Sequence, residues 1–227
     1  MPITQEFELT PLPPKEAMSF FKGKVLLKSK EYYALIDKAK AKAFTVSRVA
    51  SMDILSDLHA AVQAALDDGE TLADFMSRLS EVMDRKGWGG ITPWHAETVF
   101  RTNIQTAYSV QREEQYEGNK ESFPLAQYIA TIDDRTRDEH AELNGKIYLI
   151  DDPFWDVWTP PSGFSCRCSK RYIHKYEAED RGLKVSAPIP AGLKPDKGFD
   201  VNPAKVEWEP EKKDYPFELW NQYKKGG

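Results

Sequence analysis

The clearest pattern in the chain is a set of apolar residues that recur every four positions. Ile54, Leu58, Val62 and Leu66 have this spacing, which places them on one face of an α-helix. Gly69 follows them, and glycine is the residue that most often terminates a helix. The pattern therefore predicts a helix with one buried face that ends near Gly69.

A second amphipathic helix is predicted directly after the first. Thr71-Leu72-Ala73-Asp74 has the Ser/Thr-x-x-acid form of an N-terminal capping box. Apolar residues follow it at helical spacing: Phe75, Met76, Leu79, Val82 and Met83. The two predicted helices are therefore consecutive, with a short turn between them.

A third and longer helix is predicted over residues 93–117. Thr92-Pro93 supplies an N-cap and a first-turn proline. Phe100, Ile104 and Tyr108 supply the apolar side of this helix. Arg101 and Asn103 lie among its polar positions and either hydrogen-bond into the second half of the chain or face water.

The chain before these helices is also predicted to be helical, with Gly23 interrupting its first helix. Its apolar faces are supplied by Phe21, Val25, Leu35, Ile36 and Phe44.

After residue 120 the pattern changes to short strands. Residues 127–132 and 146–150 have aromatic and β-branched content typical of strands, and residues 171–173 form a third candidate. Between the first two, Thr136 opens a second capping-box pattern, which predicts a short helix that closes at Asn144-Gly145.

These elements predict an α+β protein whose helical N-terminal half precedes a compact C-terminal unit of short strands and helices, with extended termini. The predicted divisions are an extended arm over 1–14, a helical region over 15–120, an α+β domain over 121–183 and a Pro/Gly-rich extended tail over 184–227 that wraps or protrudes.

Composition supports a folded protein and limits its partners. The 227 residues are 41% hydrophobic and 12% aromatic, which is typical of a chain with a packed core. The net charge of −5 argues against coating of nucleic acid, because such binding depends on an excess of Lys and Arg. The N-terminus has no signal-peptide pattern, and no apolar run is long enough to span a membrane, so we expect a protein without membrane association.

Charge is nevertheless distributed unevenly. Residues 15–42 hold eight Lys against three acids, and residues 53–84 hold eight acids against one Arg. Either these are two solvated helix faces of opposite sign, or they form a docking surface for a charged partner. A DNA-binding packaging factor that uses the Lys-rich segment is a further hypothesis, against which the overall acidity counts.

The candidate chemistry is concentrated in three residues. Cys166 and Cys168 lie one residue apart, and His140 lies on the predicted short helix. Thiolate and imidazole are the ligands that Zn²⁺ prefers, and a structural zinc site takes four of them. The candidates for the fourth ligand are Asp133, Asp134, His95 and His174.

Two other interpretations of the same residues stay open. In the first, both cysteines are small buried side chains and the histidine only hydrogen-bonds a neighbour. In the second, the site is catalytic: Cys166 and His140 act as nucleophile and base, or His140 with Asp133 and Asp134 holds a metal that activates water in a hydrolase or nuclease.

Two tryptophans precede the cysteines, and they belong either to a hydrophobic core or to a ligand-binding site. Trp155 and Trp158 flank Asp156 just before a proline turn. Aromatics in such a position more often close a small core than stack on a base or a peptide, so the core interpretation is preferred.

Several motifs resemble one known family, the phage Mu F-like head morphogenesis proteins, also called minor head or minor capsid proteins. The motifs are Thr131-Ile132-Asp133-Asp134-Arg135-Thr136-Arg137-Asp138-Glu139-His140, Leu143-Asn144-Gly145, Asp152-Pro153-Phe154-Trp155 and Pro160-Pro161-Ser162-Gly163-Phe164-Ser165-Cys166-Arg167-Cys168. Upstream, Ala43-Phe44-Thr45-Val46, Lys86-Gly87-Trp88 and Arg101-Thr102-Asn103-Ile104-Gln105-Thr106-Ala107-Tyr108 are similar to the same family.

The resemblance implies a structural protein of tailed-phage or prophage heads that is not an enzyme. It implies synthesis in the host bacterial cytoplasm and incorporation into the virion head, near the portal vertex. The implied partners are the portal protein and other head or capsid proteins, with packaged DNA as a further candidate. The resemblance supplies His140, Cys166 and Cys168 but no fourth metal ligand.

Overall fold

The computed structural model describes residues 14–35, 37–47, 49, 51–86, 91–207 and 221. Residues 1–13 of the predicted arm, Ile36, and most of the predicted tail after residue 207 lie outside this part of the chain. The described residues form an α+β protein with a helical N-terminal half and a small sheet in the C-terminal half, which confirms the predicted class.

The three long helices lie where the apolar spacing and the caps predict them. They are α4 (Met52–Asp68), α5 (Leu72–Lys86) and α6 (Pro93–Glu117). Gly69 ends α4 with a φ of 66°, a value that glycine adopts without steric cost. Thr71 Oγ1 accepts from the Asp74 N–H at 3.3 Å, and Thr92 Oγ1 accepts from the N–H of His95 at 3.2 Å. Both predicted caps are therefore confirmed.

The segment before α4 is less helical than predicted. Its elements are α1 (Lys15–Lys22), β1 (Val25–Leu26), α2 (Ser29–Ala34), α3 (Asp37–Lys40) and β2 (Ala43–Phe44). Gly23 ends α1, as predicted. However, Val25 and Phe44, which we expected on helical faces, lie in two parallel strands. Both are β-formers, and two-residue strands are too short to show a period of two.

The first hydrophobic core lies between α1, α4, α5 and α6. Leu58, Val62 and Leu66 of the predicted stripe are buried in it, and Ile54 packs at its edge. Phe75 of α5 contacts Phe100 of α6, with 4.9 Å between the ring centroids.

The C-terminal half is built on a three-stranded antiparallel sheet of order β4–β3–β5. Its elements are β3 (Leu125–Ile129), α7 (Asp138–Leu143), β4 (Ile147–Leu149), α8 (Phe154–Trp158), β5 (Ser169–Ile173) and α9 (Lys175–Asp180). The three predicted strands are confirmed. The α8 and α9 helices have five and six residues, too few for a helical period to be visible in the sequence.

The predicted capping box before α7 is wrong. The helix begins after Arg137 with no side-chain cap. The Thr136 hydroxyl instead donates to the Thr131 carbonyl and accepts from the Asp133 N–H at 2.9 Å. Thr136 therefore closes the turn that precedes the helix. Asn144 and Gly145 end the helix as predicted, and Gly145 has a φ of 82°.

A second core covers one face of this sheet. Trp155 and Trp158 are buried in it beside Tyr128 and Leu143, which confirms the core interpretation of the two tryptophans. The residues between β3 and β5 therefore pack on a hydrophobic core of their own, separate from the first core.

Residues 184–202 form neither helix nor strand, yet they are bound to the rest of the protein. The Ser186 N–H donates to the Ile147 carbonyl at 2.8 Å, which continues the edge of β4. Further on, Asn202 Nδ2 donates to Glu113 Oε2 of α6 at 3.0 Å, just before a 3₁₀ turn over Pro203–Lys205. The described part of the predicted tail therefore wraps around the protein and returns to α6.

No helix in the described part of the chain is both long and apolar enough to cross a membrane.

Lys24 is a buried cation in the N-terminal half, and it predicts a pH dependence of stability. Burial, and then the nearby charge of Lys42, lower the pKa of Lys24 to about 7. Between this value and the ordinary lysine pKa, the unfolded chain binds more protons than the folded one, so stability rises with pH. From pH 7 to pH 9, we expect the free energy of unfolding of the natural chain to rise by about 2 kcal/mol relative to Lys24→Met.

Denaturant unfolding of both proteins between pH 7 and pH 9 measures this difference. His59 titrates below this range because burial, and to a smaller extent the charge of Lys24, lower its pKa. A difference that is independent of pH would contradict the prediction.

Candidate metal site

The three predicted ligands come from two places in the C-terminal half. His140 lies in α7, whereas Cys166 and Cys168 lie in the loop between α8 and β5. This loop, residues 159–168, follows the buried tryptophans and contains a cis bond between Pro160 and Pro161. The fold therefore brings together residues that are more than twenty positions apart in sequence.

The side chains of the three residues converge. His140 Nδ1 lies 3.7 Å from Cys166 Sγ and 3.3 Å from Cys168 Sγ. All three ligand atoms lie within 4.8 Å of one another, and the residues are only 3%, 5% and 4% exposed. A tetrahedral zinc ion with ordinary bond lengths separates its nitrogen and sulfur ligands by about 3.6 Å. The observed spacing is compatible with such an ion.

The pKa values of the two thiols are shifted in opposite directions. Their mutual hydrogen bond lowers the pKa of Cys166, with His140 contributing in the same direction. The same bond, followed by burial, raises the pKa of Cys168. The N–H of Cys168 also donates to Cys166 Sγ at 3.4 Å, as expected for a sulfur that carries charge.

Helix α6 forms three hydrogen bonds with residues 159–168, which we call the cysteine loop. Its contacts lie at positions i, i+3 and i+7, which share one face of a helix. They join the Ser165 N–H to Thr102 Oγ1 (3.3 Å), Gln105 Nε2 to the Cys168 carbonyl (2.6 Å) and Ser109 Oγ to the Pro160 carbonyl. The long helix of the first core therefore also positions the candidate site.

These contacts differ from the ones considered for α6 from the sequence. Arg101 forms an ion pair with Glu97 on its own helix at 2.6 Å. Asn103 accepts from Lys24 in the N-terminal half at 3.2 Å. Thr102 and Gln105 reach the second half instead. Their i, i+3 spacing was visible in the sequence, but nothing there marks which polar face of the helix is covered.

Asp133 is held by an arginine that lies between the two cysteines. Arg167 Nη1 and Nη2 each donate to one Asp133 oxygen at 2.6 Å. This bidentate contact holds the pKa of Asp133 well below its ordinary value. One guanidinium engages both carboxylate oxygens. Asp133 therefore holds the loop in place through Arg167.

A second ion pair explains the glycine of the loop. Arg137 lies 2.9 Å from Asp196 and also donates to the Phe164 carbonyl at 3.0 Å. A Cβ atom at Gly163 would lie 2.3 Å from Asp196 Oδ2, so a larger residue would displace this carboxylate. The glycine therefore permits a close approach between the loop and residues 184–202, which we call the wrapping segment.

The other candidates for a fourth ligand do not join the three residues at comparable distances among the described residues. His174 caps α9, where its Nδ1 accepts from the Tyr176 N–H at 3.3 Å. His95 lies in the first turn of α6, and Asp134 is exposed in the turn before α7. One hydroxyl group that the sequence did not single out interacts with Cys168, and a second hydroxyl group contacts the first.

These hydroxyls belong to Tyr128 and Ser162. Their oxygen atoms are 3.3 Å apart and both residues are buried. The Tyr128 hydroxyl also interacts with the side chain of Cys168. Burial raises the pKa of Tyr128 above its ordinary value, so this group is a neutral phenol. Neither residue stood out in the sequence, because tyrosine in a strand and serine in a turn are common.

The arrangement favours a structural site over a catalytic one. A nucleophilic cysteine needs access to its substrate, yet both sulfurs are buried. A cavity of about 470 Å³ is lined by Pro161 and Phe164 of the same loop but by neither cysteine nor His140. The geometry therefore suits an internal link between α7 and the loop.

Comparison with known proteins identifies the family. The family described as "Phage Mu protein F like protein" matches residues 56–171, a region that runs from within α4 to within β5 and contains all three converging residues. The fold and site thus define an α+β protein of two cores with a buried Cys-x-Cys/His cluster. The chain belongs to the Phage Mu protein F like family, which confirms the resemblance of its motifs.

Two relatives have similar sequences. The chain is 32% identical over 191 residues to the "Putative capsid assembly protein F" of Escherichia phage Mu, covering 77% of this chain and 44% of that protein. It is also 32% identical over 168 residues to the "Mu-like prophage FluMu F protein" of Haemophilus influenzae, covering 69% of this chain and 41% of that protein. The chain thus spans less than half the length of these relatives. No solved structure matches it.

Proposed function

We propose that this protein acts in the assembly of a phage or prophage head, as a structural component without catalytic turnover. The observation that carries the proposal is the match to the family over residues 56–171, together with the description of the phage Mu relative as a putative capsid assembly protein. The proposed locations are the host bacterial cytoplasm during assembly and then the virion head.

The proposed partners are the portal protein and neighbouring head proteins, with the protein placed at or near the portal vertex. Protein partners are preferred to packaged DNA because the net charge is −5, and affinity for nucleic acid comes mainly from Lys and Arg.

A cavity between the two halves is the surface that we assign to a protein partner. Its volume is about 470 Å³, and it lies between the β1–β2 region, the first half of α6 and residues 198–203. Tyr33, Trp94 and Phe164 line it and are 64%, 73% and 50% exposed. Exposed aromatic residues around a concave surface are typical of protein interfaces.

The charge of this cavity indicates the chemistry of the partner. Lys40 lines it, and so does Lys24, which is only partly charged at neutral pH because its pKa is lowered to about 7. No Asp or Glu lines the cavity among the described residues. An acidic segment with aromatic or aliphatic side chains complements such a surface. We therefore assign the cavity to an acidic segment of the portal or of another head protein.

Tyr33→Ala tests this assignment. Removal of an aromatic side chain from the centre of an interface costs about 1–2 kcal/mol, which is roughly a 5- to 30-fold weaker association with portal oligomers or procapsids. Binding is measured by co-sedimentation over a range of protein concentrations. The matched control is Tyr176→Ala, because Tyr176 is also 64% exposed but lies in α9, outside the cavity.

Equal binding of the two variants would remove this cavity from the proposal. The assembly function itself is tested by the natural chain: we expect folded protein to co-sediment with portal oligomers or procapsids across salt concentrations. Its failure to do so at every salt concentration would contradict the proposed partners.

A further inference from the structure

The Cys-x-Cys/His cluster is a buried group of metal-ligating side chains to which the proposed assembly function gives no role. We infer that His140, Cys166 and Cys168 bind one Zn²⁺ ion, and that an oxygen ligand held between Ser162 and Tyr128 completes its coordination. The ion links α7 to the cysteine loop and so closes the second core. This inference does not depend on the role in head assembly.

The donor set is the first argument. Two thiolates and one imidazole favour zinc over magnesium or calcium, which prefer oxygen ligands. The nitrogen-to-sulfur distances of 3.7 and 3.3 Å bracket the value of about 3.6 Å that tetrahedral zinc requires. The three atoms therefore need only small shifts to coordinate one ion.

The environment of His140 is the second argument. The residue is 3% exposed, and its Nδ1 faces the two sulfurs. Its Nε2 has no hydrogen-bond partner among the described residues. The two sulfurs are therefore the polar neighbours that the described residues give this ring, and they lie at Nδ1, the nitrogen that faces the cluster. A metal bond at Nδ1 gives the buried imidazole a strong interaction that packing alone does not.

The rigidity of the loop is the third argument. Its backbone is fixed by α6 through Thr102 and Gln105, and its arginine is fixed by Asp133. Ligand side chains that are held in place by surrounding hydrogen bonds are characteristic of metal sites. The converging atoms are thus preorganised by contacts outside the cluster.

The fourth position is assigned by elimination and proximity. No further His, Cys, Asp or Glu side chain joins the three ligands among the described residues. The buried Tyr128 hydroxyl interacts with Cys168, and the buried Ser162 hydroxyl lies 3.3 Å from the Tyr128 hydroxyl. Either the Ser162 hydroxyl or a water molecule held by both residues therefore supplies the oxygen.

Metal content tests the inference. The natural chain, purified without a polyhistidine tag and without chelator, is expected to contain one zinc per molecule by elemental mass spectrometry. Cys166→Ser, Cys168→Ser and His140→Ala should each reduce this content at least tenfold. The matched control is His174→Asn, which removes an imidazole outside the cluster and leaves a residue that also caps helices; it should retain one zinc.

Co²⁺ binding to the natural chain is a second test, which does not require the cysteine variants to fold. Co²⁺ is added to natural protein that has been treated with chelator, and the absorption spectrum is recorded. One equivalent of Co²⁺ should give the intense visible bands of tetrahedral coordination together with thiolate-to-metal charge transfer. Absence of these bands in folded protein, or zinc far below one per chain that is equal in all variants, would overturn the inference.

The fourth ligand has its own test. Ser162→Ala and Tyr128→Phe should keep one zinc per chain but weaken zinc affinity by about 10- to 100-fold, the usual effect of removing a group that supports a metal site. The affinity is measured by competition with a chromogenic chelator. Natural affinity in both variants would overturn the assignment of the oxygen ligand.

Discussion

Glu113→Ala is expected to reduce the free energy of unfolding by about 3–5 kcal/mol, because it leaves a buried cation without its partner. Lys170 Nζ of β5 lies 2.8 Å from Glu113 Oε1, and the lysine side chain is 3% exposed. The same carboxylate accepts from the Tyr172 hydroxyl at 2.5 Å and from Asn202 Nδ2 at 3.0 Å. One glutamate therefore joins α6, β5 and the wrapping segment.

Denaturant unfolding of Glu113→Ala and the natural chain measures the change. The matched control is Glu114→Ala, because Glu114 is the next residue on α6 but is exposed; its effect should stay within about 0.5 kcal/mol. A loss below about 1 kcal/mol for Glu113→Ala would show that the network does not join the three parts of the protein energetically.

Trp155→Ala is the second substitution with a large expected effect, a loss of about 3–5 kcal/mol. Trp155 is fully buried, and its Nε1 donates to the Leu149 carbonyl at 3.0 Å. Its ring also lies 4.4 Å from Lys170 Nζ. The substitution thus removes apolar packing, a hydrogen bond and a cation–π contact together.

Thermal and denaturant unfolding measure the loss, with Trp94→Ala as the matched control. Trp94 is 73% exposed, so its removal should change the free energy of unfolding by less than about 0.5 kcal/mol. Similar effects of the two substitutions would contradict a second core centred on Trp155.

Glu113 and Lys170 show why some contacts could not be predicted. On the sequence, Glu113 is one acid among several on the polar side of α6, and Lys170 is a cation in a short strand. Charged residues are mostly exposed in proteins. Only the packing of β5 against α6, a contact between residues 57 positions apart, shows that this pair is buried.

The long helices could be predicted because their signals are local. Apolar residues at a spacing of four and a terminating glycine specify α4 without reference to the rest of the fold, and capping threonines mark the starts of α5 and α6. In contrast, Val25 and Phe44 lie in two-residue strands whose pairing is parallel and distant in sequence. Such strands depend on a partner, and their own residues carry no periodic pattern.

The candidate site could be predicted in part. The residue types and spacing of Cys166, Cys168 and His140 indicated a shared site, and the fold places these three together. The hydroxyls of Tyr128 and Ser162 could not be identified, because strand register and loop conformation bring them there. Asp133 illustrates the same limit: its charge suggested a ligand, whereas its neighbour Arg167 binds both carboxylate oxygens.

Helix α6 connects the two halves in a way that bears on the proposed role. It contributes Phe100 to the first core, Gln105 to the cysteine loop and Glu113 to the buried network of the second half. A partner that binds the cavity beside its first half therefore contacts both halves at once. Such an arrangement suits a protein that is docked as a single unit between larger head components.

Mass spectrometry of gradient-purified heads from the phage or prophage that encodes this chain is the most direct test of the central claim. We predict that its peptides occur in heads at a low and constant ratio to the portal protein, and that they stay associated after washes at high salt. Absence of these peptides from both procapsids and mature heads, with the protein present in the producing cells, would contradict the proposed role in head assembly.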